Sequence, residues 1–284
     1  MKPIIQKLPL DDNSSFVART YKTPNYETPW HQHEEIELLL SVEGYGKLFA
    51  GNFVGDYGVG DIYLFGKNLP HWFREEDEVF CNALVIQFRD SMFGNGFLDM
   101  PELEAISSVL NEAKKGLKII GKTRKELQDQ LPDIERQSGF KKVDSLLNYL
   151  DMISQSGDYE VLSEFYFDNY SEKSIDEMGR VFEYTMSHYR KRISLEDMAD
   201  LTNQSVSSFC KVFKKSTKKT FVQFLNEVRI GHACRMLTSS HMSVSEICYS
   251  SGFRNWANFS TQFKKIRGMS PTEFRARFSK QTKN

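Results

Sequence analysis

The sequence predicts an α+β protein with an amino-terminal β-barrel, a helical extension, and a carboxy-terminal all-α block in which one pair of helices is used twice. Three observations carry this. Charge is unevenly distributed along the 284 residues. The basic end repeats itself at an interval near fifty residues. The stretch after Trp30 instead has short apolar runs punctuated by Gly44, Gly46, Gly51, Gly55, Gly58 and Gly60, the pattern of short strands joined by turns.

The formal net charge of -1 is a cancellation. Residues 181–284 hold 18 Lys and Arg against 7 Asp and Glu, a net of +11, while residues 1–180 hold 19 basic and 31 acidic groups, a net of -12. So basic a block suits phosphates, although a charge bias alone also describes a solvated face. A chain that is 40% hydrophobic and 26% charged is globular in composition and long enough for two cores. No apolar run approaches the ~20 residues of a membrane span. The first twelve residues lack the basic segment and apolar core of a secretory signal, and Cys81, Cys210, Cys234 and Cys248 show no close pairing, so a cytoplasmic protein without a membrane partner is expected. The expected division is 1–95 for the barrel, 96–173 for the helical extension and linker, and 174–284 for the basic domain.

The repeat gives the basic domain its elements. Ser194-Leu-Glu-Asp197 and Ser243-Val-Ser-Glu246 each place serine three residues before an acid, ahead of an apolar pattern, which is a capping box opening a short helix. Phe209, Phe213, Lys214, Lys215 and Phe224 then recur as Phe259, Phe263, Lys264, Lys265 and Phe274. After the polar turns 202–205 and 250–255, Ser205 and Asn255 are the natural N-caps of a second helix. Helical spacing turns Val206, Phe209, Val212 and Phe213 inward in the first copy, and Trp256, Phe259, Phe263 and Ile266 in the second. The outward face then presents Ser207, Ser208, Cys210, Lys211, Lys214 and Lys215 in one copy, and Ala257, Asn258, Ser260, Thr261, Lys264 and Lys265 in the other. Two short helices joined by a tight turn, the second with small polar residues first and lysines later, is how a helix-turn-helix enters a major groove. Asn258 and Lys211 can reach base edges, whereas the lysine pairs suit phosphates. Any single lysine is explained equally well as a solubilising surface residue. Between the copies, Thr220 to Leu237 has no proline and reads as one helix of roughly 27 Å, close to the ~34 Å between successive major-groove faces.

These residues carry a resemblance. Phe213-Lys-Lys215, Arg229, Ala233, the tract Gly252 to Lys265, and Gly268-Met-Ser-Pro-Thr-Glu-Phe-Arg275 resemble the AraC/XylS DNA-binding domain over about the last hundred residues. The resemblance implies that the two outward faces, with Val206, Asn255 and Trp256 at their starts, contact double-stranded DNA, and that the helix between them is a rigid linker. Where the family usually ends the first recognition helix with glycine this chain has Lys218, which must adopt a left-handed conformation or let the helix end differently.

In the amino-terminal part, Ile36 to Val42 and Asp61 to Phe65 are strand-like. His31-Gln-His33, Glu37 and Gly44, followed by Gly60-Asp61 and Pro70-His71, resemble the two motifs of cupin barrels, which makes the expected barrel cupin-like. In metal-binding cupins the corresponding set would be His31, His33, Glu37 and His71, donors suited to a first-row divalent metal. The second motif departs from the pattern at Gly66-Lys67-Asn68, and sensor domains of the resembled family mostly bind small molecules without metal. The expectation is therefore an effector pocket with no cofactor, lined by Trp30, His31, His33, Glu37, His71 and Trp72. Those aromatic residues also fit plain barrel core.

From Pro101 to Tyr170 the pattern is helical, broken around Gly116 and Gly121. Its apolar faces fit either packing on the barrel or the pairing of two sensor domains that the resemblance implies. A linker is expected from Tyr170 to Lys173, with Ser174 capping a helix over 175–189. The leading reading is a non-enzymatic transcription regulator whose promoter occupancy, or contact with RNA polymerase, is set by a small effector such as a sugar. The alternatives are a metal-dependent cupin enzyme with a helical appendage and a protein-binding module. The net charge of +11 and the doubled face argue against the last, because protein interface cores are depleted of lysine.

Overall fold

A computed structural model describes residues 4–5, 14–23, 30–75, 81–164 and 172–278. The chain divides into two units, one running to Ile175 and the other from Asp176.

In the first unit, strands β1 (Ile4–Ile5), β2 (Phe16–Thr23), β3 (His31–Gln32), β4 (Ile36–Glu43), β5 (Gly46–Ala50), β6 (Phe53–Tyr57), β7 (Ile62–Phe65), β8 (His71–Glu75) and β9 (Cys81–Phe88) are followed by helix α1 (Glu104–Glu112), strand β10 (Leu117–Ile119), helices α2 (Gly121–Gln130) and α3 (Phe140–Ser156), and strand β11 (Tyr159–Val161). They form two sheets, β1-β3-β8-β5-β6 and β11-β10-β7-β4-β9-β2. The expected closed barrel is therefore replaced by two open sheets.

Strand β4 shows why both faces of the larger sheet are apolar. Side chains alternate across a strand, and Ile36, Leu38 and Leu40, with Ile62, Leu64, Leu84 and Ile86, share one core with Ile106, Val109 and Leu110 of α1 and Leu146, Leu150 and Ile153 of α3. The opposite face meets the smaller sheet, where the Tyr63 and Phe65 rings lie 5.7 and 5.9 Å from Phe73. A strand covered on both faces reads as a nearly continuous apolar run, which makes Glu37 conspicuous.

The extension is not helical throughout, contrary to the sequence reading. Leu117 and Ile119 are buried and the half-buried Lys118 reaches Asp61 at 2.8 Å, a two-residue alternation that adds β10 to the edge of β7, with β11 beside it. The apolar faces of α1 and α3 are covered within this unit, so they need no second chain to bury them.

In the second unit, helices α4 (Glu172–His188), α5 (Leu195–Leu201), α6 (Val206–Thr217), α7 (Phe221–Ser239), α8 (Val244–Ser250), α9 (Trp256–Arg267) and α10 (Pro271–Phe278) follow in order. Helix α4 begins before Ser174, which lies inside the helix instead of capping it. The local signals hold elsewhere. Ser194 with Asp197 and Ser243 with Glu246 form full capping boxes at α5 and α8. Ser205 and Asn255 cap α6 and α9, each such cap contributing about 1 kcal/mol. Two further boxes, Thr220 with Gln223 and Ser270 with Glu273, open α7 and α10.

Helix α7 belongs to both copies of the repeat. Its Phe221 and Phe224 pack with Phe182, Phe209 and Phe213, while Ile230, Ala233 and Leu237 join Ile247, Phe253, Phe259 and Phe263 in a second core. A helix buried at both ends is a stiff spacer. Its 19 residues span about 28 Å.

Candidate nucleic-acid interface and sensor site

Helices α6 and α9 are held by their phenylalanines, Phe209 and Phe213 in one and Phe259 and Phe263 in the other, all at most 2% exposed. This fixes what faces outward. Ser207, Ser208, Lys211, Lys214 and Lys215 are exposed on α6, as are Ala257, Asn258, Thr261, Lys264 and Lys265 on α9. Val206, Cys210 and Ser260 are half-buried at the edges of these faces. Two residues expected inside are not. Val212 is 37% exposed and Trp256 43% exposed, because a short helix resting on two phenylalanines buries a stripe narrower than its apolar pattern. Trp256 still leans on Phe259, with ring centroids 5.5 Å apart. Asn255 is committed to its cap through Oδ1, which accepts from the Asn258 backbone N–H at 2.8 Å, and Ser208 Oγ donates to Gln204 Oε1 at 3.1 Å.

The scaffold under these helices is fastened by arginines. Arg229 of α7 donates from Nε to the Tyr189 carbonyl and from Nη2 to the Lys191 carbonyl, both at 2.8 Å, satisfying backbone acceptors just beyond α4. Gly252 lies against the same carbonyl with φ +88°, where a Cβ would come within 2.4 Å of the Tyr189 oxygen. Arg275 donates from Nη2 to the Met242 carbonyl at 2.7 Å and from Nε to the Leu237 carbonyl at 3.3 Å.

In the first unit the strand pairing gathers His31, His33, Glu37 and His71 into one buried cluster, each at most 7% exposed. His31 of β3 stands opposite His71 of β8, and Glu37 of β4 stands opposite Gln87 of β9. One ligand-type nitrogen from each of the three histidines lies within 4.8 Å of the others. His33 Nε2 is 3.1 Å and His71 Nε2 3.9 Å from the Glu37 carboxylate. Burial by itself would raise the Glu37 carboxyl, but the His33 hydrogen bond and the charges of the surrounding imidazoles outweigh it and hold the group down at about 2. Burial pushes His71 down to about 4 against the pull of Glu37. For His33 burial also acts downward, yet the bond to Glu37 prevails and raises it.

Of the other two expected pocket residues, Trp30 is buried. Trp72 stacks on Phe49 at 5.3 Å, under Arg74. Its neighbours His71 and Phe73 meet the larger sheet, so strand alternation sends Trp72 to the opposite face, away from the cluster. Gln87 was not singled out by the sequence reading. It donates from Nε2 to Glu37 at 2.7 Å, and a lone amide in the apolar run 83–88 was the available signal.

The domain model described as "Helix-turn-helix domain" matches residues 198–277. The chain is similar to the HTH-type transcriptional activator RhaR of Mannheimia succiniciproducens, 23% identical over 96% of this chain and 98% of that one, and to the melibiose operon regulatory protein of Escherichia coli, 22% identical over 90% of this chain and 86% of that one. Among solved structures it is similar to the DNA-binding domain of AdpA in complex with a target DNA, 25% identical with a TM-score of 0.36, over 38% of this chain and 98% of that one. Among the described residues no helix is long and apolar enough to cross a membrane. With a helix-turn-helix domain over residues 198–277 and relatives named as regulators along most of its length, the chain is a DNA-binding transcription regulator.

Proposed function

We propose that this regulator reads a bipartite operator with α6 and α9 in successive major grooves, and that a small effector bound by the amino-terminal unit sets its promoter activity. The observation that carries the reading is the duplicated outward face. In both helices small polar side chains come first and a lysine pair follows, at equivalent positions on equivalent cores. The start of each helix can reach base edges, and the lysine pairs sit where phosphates would run.

The sugar class is the first candidate for the effector, because a relative covering most of the chain is named for a melibiose operon. Trp30 and the polar cluster His31, His33, Glu37 and His71 are the candidate effector-binding groups. Trp72, which faces the other way, is a supporting residue of the same sheet. An effector acts only through its differential affinity for two states of the protein, and the partners such a switch would serve are RNA polymerase and a second copy of the chain, in the cytoplasm.

The test uses the full chain against a randomised duplex pool, with selected sites sequenced and affinity followed against salt. Two short elements about one helical turn apart support the reading. Weak binding that is uniform in sequence and purely salt-driven overturns it.

A further inference from the structure

We infer that Lys191, Arg192 and Arg254 form a clamp for the DNA backbone between the two recognition helices, gripping phosphates of the spacer that α6 and α9 leave uncovered. The inference rests on the bipartite reading above and adds a contact that lies outside both helices.

The backbone sets the place. The turn between α4 and α5 carries Arg190, Lys191 and Arg192 in a row, all exposed. Lys191 closes that turn by donating its backbone N–H to the His188 carbonyl at 2.8 Å. From the other side Arg229, the ninth of the 19 residues of α7, donates to the Tyr189 and Lys191 carbonyls. Helix α7 carries the core of one helix pair at each end, so the basic turn is anchored at the midpoint between the pairs.

The turn also abuts the approach to α9. A Cβ on Gly252 would fall 3.0 Å from the Arg190 Cα, so the two backbones meet three residues ahead of the Asn255 cap. A helix-turn-helix crosses the DNA backbone with its first helix and enters the groove with the start of its second. The turn joining them therefore stands over phosphates at the groove edge. Arg254 lies in that turn and is exposed.

The cations of this junction divide by what they touch. Arg190 lies over the Tyr189 ring at 5.5 Å and donates from Nε to its hydroxyl at 3.1 Å. Arg229 is committed to the two carbonyls, and burial together with the Arg254 charge holds its guanidinium below the usual arginine range. Lys191, Arg192 and Arg254 form no ion pair with a carboxylate among the described residues. Asp197, held down by its bonds with Ser194 and further by the Arg192 charge, is already bound into the α5 cap. Holding like charges on one fixed frame costs free energy in the unbound protein. A phosphate backbone returns it, because each phosphate met by a lysine or arginine releases counterions. With α6 and α9 in successive major grooves, the duplex facing the middle of α7 presents its minor groove and the phosphate rows beside it, so the clamp positions the protein without reading bases.

The experiment uses the full chain and the duplex selected from the randomised pool. Phosphates are ethylated at random, bound and free duplexes are separated, and the positions that interfere are mapped. Interference is expected at spacer phosphates as well as beside the two elements. Lys191→Gln, Arg192→Gln and Arg254→Gln combined should erase the spacer interference and leave that at the elements. The same triple variant should flatten the log–log salt dependence by about 2.7 units and weaken binding at least about tenfold near 0.1 M salt, with base preferences unchanged. An unchanged melting temperature shows that the fold is kept. Spacer phosphates that never interfere in the wild-type complex overturn the inference with no variant needed. Spacer interference that survives in the triple variant overturns it too, since the cations are then only a solvated surface. If the pool yields no pair of elements, the bipartite reading fails and takes the clamp with it; a pair of elements with an indifferent spacer sinks only the clamp.

Discussion

Lys218 and Gly268 end the two equivalent helices α6 and α9 in the same left-handed conformation, φ 59° and 73°, each donating its backbone N–H at 2.9 Å to the carbonyl four residues back, Lys214 and Lys264. Only one of them is the residue that such a turn favours. A side chain in that region costs about 1 kcal/mol that glycine avoids, so Lys218→Gly should stabilise the carboxy-terminal unit by up to about 1 kcal/mol. Urea unfolding checks this, and an unchanged or lower midpoint would show that the Lys218 side chain more than offsets the strain.

At Gly252 the conformation and the space both exclude a side chain. Gly252→Ala places a methyl against the Tyr189 carbonyl, the group that Arg229 holds, and a left-handed φ adds to the clash. Destabilisation of at least about 2 kcal/mol is expected. Arg229→Met, which strands two carbonyls but causes no clash, should cost about 2–3 kcal/mol. Thermal unfolding of both variants decides whether this junction organises the second helix pair.

Asn258 and Lys264 test the division of labour on α9. Asn258→Ala should cost about 1–3 kcal/mol on the selected operator and relax preference at one base position. Lys264→Ala should weaken all duplexes alike and flatten the log–log salt dependence by about one unit. Competition binding across single-base operator variants distinguishes them, and equal losses on every sequence for both variants would refute the assignment.

The capping acids give a pH dependence with a definite sign. Hydrogen bonds from Ser243 hold the Glu246 carboxyl below its ordinary 4.5, and bonds from Ser194 and Ser270 do the same for Asp197 and Glu273. A folded-state value below the unfolded one means that the contribution is complete above pH 4.5 and is lost as pH falls through the folded value. Glu246→Gln keeps the capping geometry but cannot titrate. Its stability should therefore fall less steeply than wild type between pH 5 and 3, as read by denaturant midpoints; parallel curves would mean that the box acids do not contribute.

What the sequence determined by itself is the carboxy-terminal architecture and its outward faces. An N-cap and its partner span four residues and a helical face about eleven, so Ser205, Asn255, Phe209 and Phe263 declare their roles within a few turns, and the copy fifty residues on states them again. Even there the width of the buried stripe depended on the surface below, which is why Val212 and Trp256 lie further out than their spacing implies. In the amino-terminal unit only the resemblance to cupin motifs grouped the histidines with Glu37, and no periodicity in the chain foretold their meeting. That required β3 to register with β8 across forty residues and β4 with β9 across fifty, and pairing at such range leaves no periodic mark in either segment. Three-residue strands such as Leu117–Ile119 are too short to show a period at all. The alternation of β8, fixed only when it joined its neighbours, decided that His71 would face the cluster and Trp72 would not.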